Sequence, residues 1–253
     1  MEEILAYFSI KYEGDWDKIY GAINRKEKVD SSQMRETLDR NTSKYITLIG
    51  DKYPNRLKHI YKPPFVLFYK GDIDLINAPR KTIGVVGSRK SSDYGNFATE
   101  KIVRELVEND VIIVSGLANG IDSIAHHSCL ESGGNTIAVI ANGIDECYPL
   151  ENKGLLDSIS ENGLVISEYP SFVSSNKENF PKRNRIIAGL SDGILVGEAK
   201  YKSGSMITVN RALEMGKEIF CVPDIISNES GCNKLIKEGA KLVESGEDIL
   251  NEI

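Results

Sequence analysis

The chain has 253 residues and a formal net charge of −6, with 41% hydrophobic and 27% charged residues. That is the composition of an ordinary soluble globular protein large enough for one α/β core and a small accessory region, and its acidic balance argues against indiscriminate polyanion binding. No apolar run reaches the roughly 18–20 residues of a membrane span, so no membrane association is expected. The start, Met1-Glu2-Glu3-Ile4-Leu5, lacks a signal-peptide layout, which makes the cytoplasm the expected location.

In chain order, residues 1–45 read as a small helical region. Ile4, Leu5, Phe8, Ile19, Tyr20 and Ile23 form a thin apolar stripe, with Trp16 to plug it. Prolines at Tyr53-Pro54 and Lys62-Pro63-Pro64 forbid a long helix, and the run Phe65–Tyr69 suits an edge strand. From Lys81 onward the pattern turns regular. Short β-branched runs at Thr82–Val86, Val111–Ser115, Thr136–Ala141, Leu164–Ser167, Gly193–Gly197 and Glu218–Val222 alternate with amphipathic helical stretches. Several runs are apolar throughout, as strands buried on both faces of a parallel sheet are. The expected fold is therefore α/β: an extended Rossmann-like, doubly wound, mostly parallel sheet over 46–253 behind the helical region.

Cys129, Cys147, Cys221 and Cys232 are far apart in sequence and form no CxxC pair, so no zinc site, disulfide framework or other metal is expected. His126 and His127 are adjacent on a helix and point to different faces, which disqualifies them as a metal pair.

In a doubly wound sheet, ligands collect where strands lead into helix N-termini. The first such turn is Gly87-Ser88-Arg89: Gly87 turns the backbone tightly, Ser88 and backbone amides can face a phosphate, and Arg89 can grip it bidentately. Neither a G-x-G-x-x-G fingerprint nor a P-loop is present. The second turn, Ser115–Asp122, is glycine-bearing, with Asp122 placed either to cap the following helix or to contact a ligand. A polar segment from Ser171 to Asn179 is expected to form a lip over the site. It precedes Phe180-Pro181-Lys182-Arg183-Asn184-Arg185, a concentration of cations in an acidic protein that runs directly into apolar helix. Arg185 is read either as a ligand contact or as an internal partner of Asp192 or Glu168. Ser203 and Ser205 open another helix and supply two hydroxyls at its positive end.

Together these groups make a groove with more phosphate grips than one nucleotide needs, which favours a backbone-tracking strand. Lys182 and Arg183 are expected to point outward to phosphate. The alternative is a Rossmann-type nucleotide-binding hydrolase that uses Glu168 or Asp145 on a nucleoside phosphate, although no nucleophile with a positioned base is apparent. A third reading is a purely structural, partner-binding protein.

Gly87-Ser88-Arg89, the turn Ser115-Gly116-Leu117-Ala118-Asn119-Gly120-Ile121-Asp122, Phe180–Leu190, Ser203–Thr208 and Gly239–Val243 resemble the DNA-processing protein A (DprA, or Smf) family, in order and across residues 45–250. The resemblance implies a non-enzymatic, cofactor-free, homodimeric single-stranded DNA binder. It further implies protection of incoming DNA and loading of the RecA recombinase in natural transformation and recombination. It carries DNA contact onto Gly87, Ser88, Arg89, Phe180, Lys182, Arg183, Asn184, Ser203 and Ser205, with Phe180 as an aromatic platform for a base; the other reading of Phe180 is a core plug. It places dimer or recombinase contacts at Lys234, Leu235, Ile236, Ile249 and Leu250. Leu235 and Ile236 also read simply as helix core. The sequence departs from the family at Asn119, where an arginine is usual, at Ala141 and at Asp224. It is expected to be a short form without the winged-helix domain that many members carry at the C-terminus.

Overall fold

The computed structural model describes residues 1–226 and 229–253. The chain opens with three short helices, α1 (Glu2–Lys11), α2 (Trp16–Asn24) and α3 (Ser31–Asp39). It continues through β1 (Lys44–Thr47), α4 (Asn55–Lys58) and β2 (Val66–Gly71). The alternating part follows: β3 (Thr82–Val86), α5 (Asp93–Glu108), β4 (Ile112–Ser115), α6 (Ile121–Glu131), β5 (Thr136–Ile140), α7 (Lys153–Asn162) and β6 (Leu164–Ser167). Then come α8 (Asn179–Leu190), β7 (Gly193–Val196), α9 (Ser205–Glu214), β8 (Glu218–Cys221), α10 (Gly231–Lys237), β9 (Lys241–Leu242) and α11 (Gly246–Leu250).

One nine-stranded sheet runs in the order β1-β2-β6-β5-β4-β3-β7-β8-β9. Strands β3 to β9 are parallel, and β1 and β2 join antiparallel beside β6. This is the expected doubly wound, mostly parallel, Rossmann-like architecture. The run at Phe65–Tyr69 is not an edge strand: β2 lies between β1 and β6, and β1 forms the edge. β1 escapes the sequence reading because four residues, Lys-Tyr-Ile-Thr, are too few to show a period.

Alternate side chains of each strand feed two cores, as the pleat requires. Ile112 and Val114 of β4 pack with α4, α8 and α9 on one face, whereas Ile113 packs with α5, α6 and α11 on the other. The helices α1 and α2 join α7 over β2, β5 and β6 through Leu5, Phe8 and Ile19. Trp16 does plug this region: it stacks on Phe65 with centroids 5.2 Å apart and donates from Nε1 to the Pro63 carbonyl at 2.8 Å. Tyr20 and Ile23 fall outside the stripe, at 51% and 37% exposure.

The cysteines are free thiols, although Cys221 and Cys232 come within hydrogen-bonding reach of each other inside the core. Among the described residues no group of three metal-ligating side chains forms, and no helix is long and apolar enough to cross a membrane. Leu235 and Ile249 are buried in the core, at 8% and 0% exposure. This removes both from the surface expected for dimer or recombinase contact. Ile236 and Leu250 are half-buried against the same cores, and Lys234 sits over the Tyr201 ring.

His126 is fully buried, while its neighbour His127 is exposed. The Thr136 hydroxyl donates to the Ile113 carbonyl and lies 2.7 Å from His126 Nδ1, which makes Nδ1 the protonated nitrogen of a neutral ring. Burial holds the His126 pKa down at about 3. A folded-state pKa below the unfolded value of 6.5 means that stability is whole above about pH 6.5 and is lost as pH falls towards 3. We expect His126→Gln to flatten this decline by up to about 1.4 kcal/mol per pH unit, measured by urea unfolding between pH 4 and 7. An unchanged pH profile contradicts the assignment.

Candidate nucleic-acid interface

β3 is the first strand of the parallel array, and β4 and β7 flank it on opposite sides, which makes its carboxyl end the topological switch point. The turn after β3 is held from three directions. The Ser88 amide donates to the Glu198 carbonyl at 2.7 Å, the Ile121 amide donates to the Ser88 carbonyl at 3.1 Å, and the Ser205 hydroxyl donates to the Gly87 carbonyl at 2.7 Å. Glu198 also accepts from the Ser92 amide and hydroxyl, at 2.9 and 2.6 Å, and Ser92 caps α5. Arg89 is left exposed at the apex of a braced loop.

The second turn, after β4, packs against the first. Gly120 has φ +77°, and a methyl group there falls on the Ser88 carbonyl oxygen. Gly120→Ala therefore strains its own backbone and displaces the Arg89 loop. We expect about 1–3 kcal/mol of destabilisation by denaturant unfolding, together with loss of any ligand affinity that depends on Arg89. Asp122 does not cap α6, whose N-cap is Gly120. It is the second residue of the helix, in its first turn, buried, and accepts from the Gly116 amide at 3.2 Å. Burial raises its carboxyl pKa, while Arg183 and the loop amides oppose that rise.

α8 crosses back over the sheet from β6 towards β7, with Pro181 in its first turn, where a missing N–H costs nothing. Its buried C-terminal carbonyls are satisfied from outside. Lys217 donates to Ala188 at 2.5 Å, to Gly189 at 3.0 Å and to Ser191, and Arg56 donates to Leu190.

The cations of α8 separate sharply. Lys182 is exposed. Arg183 is only 4% exposed, so its expected outward reach is not what the structure shows. Its guanidinium donates to the Gly116 carbonyl at 2.7 Å and to the Val139 carbonyl, and Nε donates to Asn184 at 3.2 Å. Burial draws its pKa down to about 10. A methyl on Gly116 would lie 2.6 Å from the guanidinium carbon, so only glycine leaves room for this arginine. Arg185 is internal, as one sequence reading had it, and pairs with Glu168 rather than Asp192. Both are buried, and Arg185 donates to the two carboxylate oxygens at 2.6 and 2.8 Å.

The loops enclose a cleft of about 720 Å³ at the switch point. Eight of the nine predicted contact residues line it: Gly87, Ser88, Arg89, Phe180, Arg183, Asn184, Ser203 and Ser205. Lys182 does not; it faces a second cleft of about 910 Å³ on the other side of the α8 N-terminus. The Ser171–Asn179 segment also belongs mainly to that second cleft, with Lys177 lining both. Phe180 is no core plug. It is half-buried at the cleft, with Arg89 Cζ 5.2 Å from its ring centroid and Tyr148 tilted against it at 5.6 Å. The hydroxyls of Ser203 and Thr208 are buried, line the cleft and have no partner among the described residues. Lys90, Lys177, Lys200 and Lys202 add cations that motif reading missed. The flanking of Ser203 by Lys200 and Lys202 was the one signal available for two of them.

A doubly wound sheet with a cationic, aromatic-edged cleft at its switch point defines a Rossmann-like protein built to receive an anion. The chain belongs to the family of DNA recombination-mediator protein A, which it matches over residues 44–253. It is 46% identical over 232 residues to the DNA processing protein DprA of Streptococcus pneumoniae, covering 91% of this chain and 80% of that one. The X-ray structure of the Streptococcus pneumoniae protein superimposes with a TM-score of 0.84 at 40% identity, covering 99% of this chain and 93% of that one. DNA processing protein A from Helicobacter pylori, whose structure describes a single-stranded DNA binding mode, superimposes with a TM-score of 0.75 at 31% identity over 83% of this chain and 95% of that one.

Proposed function

We propose that this chain binds single-stranded DNA in the first cleft and acts as a non-enzymatic recombination mediator in the cytoplasm, protecting incoming strands as a homodimer and passing them to a RecA-type recombinase. One observation carries the DNA reading: an arginine over the ring of a half-buried phenylalanine in a cleft lined by buried hydroxyls that have no partner among the described residues. Arg89 reaches phosphate while Phe180 offers a sequence-tolerant face to a base, the combination used for single strands. Buried Arg183 acts from beneath as a fixed positive charge that also shapes the floor. The single-stranded DNA binding of the Helicobacter pylori relative supports the same assignment.

The hydrolase alternative loses support from the geometry. Both Glu168 oxygens are held by Arg185, and Asp145 pairs with Lys70 at 2.6 Å. Neither residue lines the first cleft. Fluorescence anisotropy with labelled single strands, duplexes and free mononucleotides tests the reading. Single strands are expected to bind tighter than duplex, with affinity falling as salt rises. Mononucleotide binding with turnover that disappears in Glu168→Gln would restore the enzyme.

A further inference from the structure

We propose that the bound strand continues from the first cleft across the N-terminal turn of α8 into the second, where Tyr61 and Phe172 stack bases. This rests on the single-strand reading above and extends it. The two clefts adjoin at Lys177 and Pro181, which line both. Lys182 opens only onto the second, so a phosphate held by Lys182 has already left the first.

The second cleft has the chemistry of a single-strand groove. Tyr61 and Phe172 are 61% and 56% exposed although both are large aromatics. Tyr61 is flanked by two cations, with Arg211 Cζ 5.6 Å and Lys62 Nζ 5.7 Å from the ring centroid. The acids of the cleft are largely occupied: Asp17 by Lys62 at 2.6 Å, Asp15 in capping α2, and Glu168 by Arg185. Glu13 and Glu178 remain in a lining that also holds Lys18, Lys177 and Lys182, and Arg211 also pairs with Glu214 at 2.7 Å. A mixed rim of this kind suits bases stacked on rings, with the backbone following the lysines.

The test is anisotropy on the full chain with oligothymidylates of about 5 and about 20 nucleotides, one filling a single site and one long enough for both clefts. Tyr61→Ala and Phe172→Ala are each expected to weaken the long oligonucleotide about tenfold and to leave the short one unchanged. Tyr61→Phe keeps the stacking face and is expected to retain long-strand affinity, which separates lost stacking from lost folding. Arg211→Ala is expected to reduce the salt slope of the long strand by about 0.7. Unchanged long-strand affinity in Tyr61→Ala and Phe172→Ala, with Arg89→Ala still impaired, overturns the second cleft and leaves the first standing. An equal loss on both lengths also overturns it. Failure of the unaltered chain to bind either length removes the single-strand reading itself.

Discussion

Arg89→Ala is expected to weaken binding of a short single strand about 10- to 100-fold, the effect of losing one charge-assisted phosphate contact worth about 1.5–3 kcal/mol. Arg89 is an exposed cation at the switch point, and its loop is braced by Glu198, Ser205 and Ile121, so its side chain is placed to meet a ligand without first ordering its backbone. The plot of log affinity against log salt should flatten by about 0.7, the contribution of one phosphate on a single strand. Arg89→Lys is expected to restore that slope and only part of the affinity. A lysine is a point charge that neither forks onto two oxygens nor reproduces the broad guanidinium now placed over Phe180, 5.2 Å from the ring centroid. Full affinity in Arg89→Ala, measured by anisotropy at two salt concentrations, removes Arg89 from the site.

The second large effect is on stability. Arg185→Met is expected to destabilise the fold by about 3–5 kcal/mol, because it leaves the Glu168 carboxylate buried without its counter-charge. Arg185 and Glu168 side chains are each only 6% exposed. Arg185 does more than neutralise: Nε donates to the Lys62 carbonyl at 3.0 Å and a terminal nitrogen to the Lys182 carbonyl at 2.9 Å, joining α8 to the loop before β2. At roughly 2–4 °C per kcal/mol for a chain of this size, the melting temperature should fall by roughly 6–20 °C. Adding Glu168→Leu to Arg185→Met removes the orphaned charge and is expected to recover a large part of the loss. Denaturant unfolding of the two singles and the double closes the cycle, and strict additivity would show that the pair does not interact.

Much of the scaffold was legible in the residues. The six runs from Thr82–Val86 to Glu218–Val222 are the parallel strands β3 to β8 to within a residue at their ends, because strands covered on both faces are apolar along most of their length. The glycine turns at 87 and 116–120 were visible for a similar local reason, since close approach of two backbones excludes a side chain. Edge pieces were not. β1 and β9, four and two residues long, carry too few positions to show a period. The burial of Leu235 and Ile249 could not be separated from exposure, because an apolar residue on a short helix reads the same whether it faces its own core or a partner.

By itself, then, the sequence determined the strand order of chemistry: turn after turn of glycine, hydroxyl and cation at the places where parallel strands end. Only the tertiary structure decided where the neighbouring cations of one helix point. Lys182, Arg183 and Arg185 lie within four consecutive residues of one helix, yet one faces a second cleft, one lies under the Gly116 loop and one is sealed against Glu168. A helix turns about 100° per residue, so neighbours in sequence look in different directions. Which direction is ligand and which is core depends on what packs there. For α8 that is the sheet below, Glu168 at the end of β6 and the Lys62 loop, all distant along the chain.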